Sequence, residues 1–263
     1  MSDPAKPRPV IVGSVGRKPP APKDKIYLAT PAYGSTFSAE YVRSLFMLLA
    51  SRPRRPIEFV FAYFDYADIT VSRNYLISDF YFNHRDCGHI LFVDDDMGFD
   101  AAMVSEMLAL NEAIVGTMYP ARRIDLRKLH AAKDIPFEKA LASSVNYIGS
   151  VRKPIERKGE FISVTQCGTG VMLISRACLD AMTVKLPELV DTQRFKRMPF
   201  GGQFSKFITP FDKLKTEAVE LSEDFSFCKR WVVDCRGKIW AHTNRKILHA
   251  GRLVVESKYS DLD

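Results

Sequence analysis

The chain has 263 residues and no apolar run approaching the roughly 18 that a membrane-spanning helix requires. Its N-terminus also lacks the apolar core of a secretory signal. These absences argue against an integral membrane protein and against secretion. Cysteine is sparse, and no two of Cys87, Cys167, Cys178, Cys228 and Cys235 form a CxxC pair. An odd number of cysteines in apolar or helical surroundings predicts reduced core thiols of a cytoplasmic protein. No internal repeat is visible. Basic and aromatic residues do not interleave as they do on single-strand-binding surfaces, and no nucleic-acid module is recognisable, so nucleic acid is not an expected partner.

What is present is enough hydrophobic sequence, 46% of the chain, to bury a sizeable core as one domain. The net charge of +7 is concentrated in two places. Residues 1–25 are rich in Pro, Lys and Arg, a composition that predicts a disordered leader before a single domain at 26–263. The second basic stretch runs from Arg122 to Lys158 and could attract phosphorylated substrates or anionic lipid head groups.

Along the domain, apolar runs at 26–30, 57–63, 89–93 and 113–116 read as strands. Helices are expected between them at 38–50, 72–82 and 100–111, the first capped by Ser38 and the third by Asp100. On the first helix, Tyr41, Val42, Leu45, Phe46, Leu48 and Leu49 fall mostly on one face. Strict alternation of strand and helix predicts an α/β fold with a mostly parallel central sheet. The second half is less regular. Strands are expected at 161–164, 171–174 and 239–242, and helices at 176–182 and 222–235. Residues 185–215, dense in Pro, Gly, Lys and Phe, show no period, and such a long irregular segment suggests a lid.

The most informative segment is His89-Ile90-Leu91-Phe92-Val93-Asp94-Asp95-Asp96. An apolar strand ending in three acids places carboxylates where open α/β sheets bind ligands. Acids this close repel one another unless a cation joins them, and hard divalent ions such as Mn²⁺ or Mg²⁺ suit oxygen donors.

Asp94-x-Asp96 resembles the aspartate-x-aspartate signature of GT-A nucleotide-sugar glycosyltransferases, and other segments in the same order are similar to that family. Residues 26–32, including Thr30 and Ala32, resemble the nucleotide-contacting first strand. Ser72-Arg73-Asn74 resembles the motif in which an arginine opening a helix approaches the base and diphosphate. Gly116-Thr117-Met118-Tyr119 stands where the family contacts the donor sugar, and Gly168-Thr169-Gly170 resembles its glycine turn. Ser222-Glu223-Asp224 resembles the acidic motif of inverting members, whose second acid is the general base. Leu248-His249-Ala250-Gly251 resembles the C-terminal histidine that completes the metal site; His242 is a competitor without a following glycine.

The resemblance, to a family 2-like enzyme over about 26–251, implies a GT-A-like α/β/α sandwich with an irregular C-terminal half. It implies Mn²⁺ or Mg²⁺ on Asp94, Asp96 and His249, with either Asp94 or Asp95 as the partner of Asp96. Donor contacts fall to Thr30, Ala32, Arg73, Asp94, Asp95, Tyr119, Gly168 and Gly170, and acid–base chemistry to Asp224 and Glu223. The implied substrates are a UDP- or GDP-linked sugar and a glycan or lipid-linked acceptor, and the basic surface and cytoplasmic character suit a peripheral contact at the inner membrane face. Both inverting and retaining outcomes stay open. A sugar-phosphate nucleotidyltransferase would need a glycine-rich, lysine-bearing loop after the first strand, where this chain has Thr30-Pro31-Ala32-Tyr33-Gly34. A non-catalytic nucleotide-sugar or carbohydrate-binding protein remains a further reading.

Overall fold

A computed structural model describes residues 10–11, 24–51, 53, 56–217 and 219–252. Within the expected leader, residues 1–9 and 12–23 lie outside the described residues, whereas Val10–Ile11 form strand β1. The next strand, β2 (Asp24–Pro31), starts two residues earlier than its apolar run and leads into helix α1 (Ala39–Ala50). The Ser38 hydroxyl caps α1 by accepting from the Tyr41 N–H. Tyr41, Ser44 and Leu48 form its buried stripe, while Phe46 and Met47 are 69% and 61% exposed, so the inward face is narrower than the apolar pattern predicts.

Strand β3 (Ile57–Phe64) and helix α2 (Ile69–Asn83) follow, then β4 (His89–Val93). Helix α2 starts at Asp68, whose carboxylate accepts from the Thr70 and Val71 N–H groups. The expected start at Ser72 is therefore corrected: Arg73 is the fifth residue of the helix and does not open it. The chain continues through β5 (Met97–Phe99), α3 (Ala101–Leu110), β6 (Ile114–Thr117) and β7 (Tyr119–Ile124). Two short helices, α4 (Leu126–Ala131) and α5 (Phe137–Ser144), lead to β8 (Val145–Val151), β9 (Arg157–Lys158), β10 (Phe161–Cys167) and β11 (Val171–Ser175). After α6 (Arg176–Lys185) come the short β12 (Val190–Asp191) and β13 (Phe207–Ile208), then α7 (Glu223–Lys229), which runs on into a π-helical turn at Arg230–Asp234. Strands β14 (Ile239–His242) and β15 (Ile247–His249) complete the described chain.

The main sheet has the order β1-β3-β2-β4-β11-β6-β14-β10-β8-β7, with β9 beside β10. Pairing is parallel for β2 with β3, β2 with β4 and β6 with β14; the other neighbours are antiparallel. The expected mostly parallel sheet is thus a mixed one. Strand β11 starts at the turn 168–170, beside the carboxyl end of β4 with Val171 opposite Val93, and can only run back along it. A strand buried on both faces reads as a continuous apolar run in either direction, so the sequence carries no sign of this reversal.

Alternate residues of the strands feed two cores. Ile26 and Leu28 of β2 join Leu91 and Val93 under α1 and α3, with Tyr41, Met103 and Met107. Tyr27 and Ala29 face the opposite side, where Leu76 and Phe80 of α2, Leu179 of α6 and Phe227 of α7 pack. The result is an α/β/α sandwich. On the second side the expected lid region is core: Phe195, Phe200, Phe204, Phe207 and Phe211 are buried, with Phe211 stacked on Phe227 at 4.6 Å. Asn74 of α2 fixes its end, accepting from the Phe211 N–H at 3.0 Å and donating to Asp212 at 2.8 Å. All five cysteines are buried free thiols.

Candidate functional site

Strand β4 ends in the acid triplet beside β11, and the backbone there is pinned from several directions. The Asp94 N–H donates to the Gly170 carbonyl at 2.9 Å, the Ser38 N–H to the Asp95 carbonyl at 2.8 Å, and the Ala250 N–H to the Asp96 carbonyl at 2.8 Å. Three distant segments thus converge on three consecutive residues, and the side chains of Asp94 and Asp96 take different partners.

Asp94 faces the buried Arg73, which donates from Nη2 to Asp94 Oδ2 at 3.1 Å and from Nε to Glu223 Oε1 at 3.3 Å. The guanidinium lies beside the edge-on pair of Phe92 and Phe211, 5.8 and 6.0 Å from their centroids. Burial works against its charge, but the carboxylates of Asp94, Glu223 and Asp224 outweigh that and raise its pKa. Arg73 is therefore an internal cation that ties β4 to α7. Asp224, beside Glu223, is pushed upward by burial and by the Glu223 charge, partly offset by the Ser222 hydroxyl that donates to it.

Asp96 faces the other way. Arg122 donates to its Oδ2 at 2.6 Å, and His249 Nε2 stands 3.5 Å from the same oxygen. Strand β15 pairs with β5, setting His249 opposite Met97. His249 Nδ1 lies 2.8 Å from the Pro120 carbonyl, an acceptor that requires Nδ1 to carry hydrogen. In the neutral ring Nε2 then points a lone pair at a carboxylate, an arrangement that calls for a proton or a metal ion between them. Burial lowers the His249 pKa, yet Asp96 and the Pro120 carbonyl more than compensate and raise it. For Asp96, burial is outweighed by His249 and Arg122, which hold it below the ordinary carboxylate value. Asp95 has no such partner among the described residues: burial and the charges of Asp96 and Asp94 push it up to about 6.

Among the described residues no three His, Cys, Asp or Glu side chains group as a complete metal cage. Asp96 and His249 fit a two-ligand site of the kind in which substrate phosphates and water supply the other positions. Asp94 has one oxygen on Arg73, while its Oδ1 is buried without a partner among the described residues. Arg73 Nη1 and the Thr169 hydroxyl are likewise buried and unpartnered among the described residues. Such orphaned groups are rare in folded proteins and mark places where a ligand or ordered water completes the bonding.

Tyr119 is 5% exposed and lies across the turn 168–170, its hydroxyl accepting from the Gly170 N–H at 3.2 Å. A Cβ on Gly168 would fall 2.1 Å from that hydroxyl, and one on Gly170 would fall 2.7 Å from Tyr119 Cζ. Both glycines are thus explained by the ring, and the ring by the glycines. Tyr119 also meets His249 edge-on at 5.3 Å, so its faces are taken up by protein and it has no open face to stack on a sugar. Burial, and then the Asp94 charge, raise its pKa. At the rim, Thr30 is spent on a 2.7 Å hydrogen bond to Tyr41, and Ala32 is buried with its N–H on the Phe64 carbonyl at 3.0 Å. His242, the competitor of His249, is buried away from the triplet, 2.7 Å from Glu106.

The structure therefore gathers Arg73, Asp94, Asp95, Asp96, Tyr119, Gly168, Gly170, Glu223, Asp224 and His249 around one strand end, while Thr30 and Ala32 serve packing. Sequence reasoning missed Arg122 as the partner of Asp96 and Thr169 as an inward-facing hydroxyl. Both lie inside segments whose composition drew notice; only their side-chain directions were hidden.

No family model matches this chain, and no curated protein sequence matches it. Among solved structures, the crystal structure of A197 from STIV is similar over 90% of this chain and 98% of its own, at 15% identity and a TM-score of 0.43. A likeness that distant assigns no family.

Proposed function

We propose that the protein is a metal-dependent glycosyltransferase of GT-A type that uses a UDP- or GDP-linked sugar and a glycan or lipid-linked acceptor. The observation that carries this reading is His249 Nε2 facing Asp96 Oδ2 at 3.5 Å while Nδ1 is held by the Pro120 carbonyl. Asp96 and His249 would hold Mn²⁺ or Mg²⁺, with Asp94 or Asp95 beside them, and the cation would neutralise charge on the leaving diphosphate. Arg73 keeps Asp94 and Glu223 in fixed positions, and its unpartnered Nη1 can bind an anionic group. Asp224, with its raised proton affinity, takes the acceptor proton.

Thermal denaturation with UDP, GDP, dTDP and CMP sugars, each with and without Mn²⁺, tests this, because specific binding raises stability by mass action. The expected result is a Mn²⁺-dependent shift with one nucleotide, lost in Asp96→Ala. No shift with any combination would sink the reading. Asp224→Asn is expected to keep that shift and to lower turnover by ~10² to 10⁴-fold.

One observation favours a binding protein without catalysis: Arg122 already occupies Asp96 Oδ2 at 2.6 Å. A nucleotide-sugar that binds without Mn²⁺ and is never consumed would support that alternative.

A further inference from the structure

We propose that the arm formed by residues 122–158 is a docking surface for a membrane carrying anionic lipid head groups. This inference goes beyond the reading of the site and does not depend on its chemistry. The arm contains ten Lys and Arg against four Asp and Glu, a net +6 out of the chain's +7. One of the chain's two concentrations of positive charge therefore lies at one edge of the sheet, where β7 is the outermost strand. Arg123, Arg127, Lys133, Lys139, Lys153 and Arg157 form no ion pair among the described residues.

Helices α4 and α5 are too short to be stable by themselves, and they gain little from the core. Helix α4 buries no residue and α5 buries only Ala140 and Ser144. Their large apolar side chains point elsewhere: Leu126 and Phe137 are each 67% exposed, and Ile135 in the turn between them is 45% exposed. At 1.5 Å per residue the hairpin is only about 12 Å long, so these side chains crowd one small region. Tyr147, Val151 and Ile155 continue the exposed apolar surface along β8 and beyond it.

Apolar side chains among unpaired cations match an interfacial binding surface, where the apolar groups enter the acyl boundary and the cations meet anionic head groups. A nucleic-acid surface would instead present stacking aromatics, and Tyr147 is the arm's one half-exposed candidate beside Phe137. The arm leaves the sheet through β7, whose Tyr119 and Pro120 touch His249 and whose Arg122 pairs with Asp96. Docking the arm would therefore set the candidate site close to the lipid surface.

The test is co-sedimentation of the full chain with vesicles of phosphatidylcholine alone or of phosphatidylcholine with phosphatidylglycerol. The protein is expected to pellet only with the anionic vesicles, and less as salt shortens the Debye length from about 10 Å at 0.1 M to about 3 Å at 1 M. Leu126→Ser with Phe137→Ser should weaken binding at least about tenfold. Arg127→Gln and Lys133→Gln should weaken it roughly fivefold for each charge removed. Circular dichroism confirms that the variants remain folded, and Asp96→Ala, which frees Arg122 of the arm, should pellet at least as well as the parent, separating this inference from the site. Equal pelleting with neutral vesicles, none with anionic ones, or parent-like binding by the folded serine variant would overturn the proposal. Preferential capture by RNA that displaces the vesicles would overturn it in favour of a nucleic-acid surface.

Discussion

Asp94 and Asp96 stand two residues apart at the end of one strand, and they live in different electrostatic worlds. Asp94 meets a guanidinium whose side chain is 4% exposed, shared with Glu223 and packed beside a pair of phenyl rings. Asp96 meets Arg122, whose side chain is 54% exposed, and a histidine 3.5 Å away. The first pairing is fixed, because removing the carboxylates strands a guanidinium that is 4% exposed, and removing Arg73 leaves two partly buried carboxylates without their shared cation. The second is exchangeable, because Arg122 can swing into solvent at little cost and leave the carboxylate to another cation. One motif thus combines a structural half with a responsive half.

The sharpest way to break that contrast is Arg73→Met. It leaves Asp94 and Glu223 facing a cavity without their cation and should cost about 3–5 kcal/mol in urea denaturation. A loss no greater than that of a surface substitution would show that the two halves are alike. Next in size is Gly168→Ala, whose methyl would strike the Tyr119 hydroxyl and should cost about 1–3 kcal/mol. Tyr119→Phe in the same chain should return part of that loss, a coupling that a double-mutant cycle measures directly. Arg122→Ala should cost only about 0–1 kcal/mol and should improve rather than impair Mn²⁺ binding, as read by calorimetry. Smallest of all, Leu126→Ser with Phe137→Ser should change stability by no more than about 0.5 kcal/mol each, since neither side chain is buried.

The pH dependence separates the halves further. His249 has a raised folded pKa, so its contribution is complete below the ordinary 6.5 and is lost as pH rises through the raised value. Asp96 has a lowered one, so its contribution is present above 3.8 and is lost as pH falls through the depressed value. The pair is therefore strongest from about pH 4 to about 6.5. Asp95 acts in the opposite sense: its folded value of about 6 means that the native state holds the proton more tightly, so stability declines as pH rises from 3.8 to about 6. Asp95→Asn should remove that decline and make the protein more stable than the parent at pH 7, and saturating Mn²⁺ should narrow the gap. A parent-like pH profile in Asp95→Asn would show that the triplet does not repel itself.

The strand–helix alternation through Leu110 was legible because each element carries its own periodicity or cap: Ser38 for α1, Asp100 for α3, the unbroken apolar run for β4. The start of α2 was not legible, since Asp68 caps it four residues before the expected start at Ser72. The gathering of Arg73, Asp94, Asp96, Tyr119, Glu223, Asp224 and His249 was legible as a set of residues, though not as pairs. Which acid faces Arg73 depends on the direction in which each side chain leaves a pinned backbone.

From the sequence alone came the strand–helix alternation of the first half, the acid-tipped strand and the accumulation of charge in 122–158. These are local or compositional properties, set by residue spacing along the chain. Tertiary structure alone decided that β11 runs antiparallel between β4 and β6, that the phenylalanines of 185–215 pack as core, and that Thr30 and Tyr119 are consumed by packing. It alone also decided that Arg122 competes for Asp96. Each of these is a contact between segments far apart in the chain, and such contacts depend on how the sheet and its helices come together rather than on any residue's near neighbours.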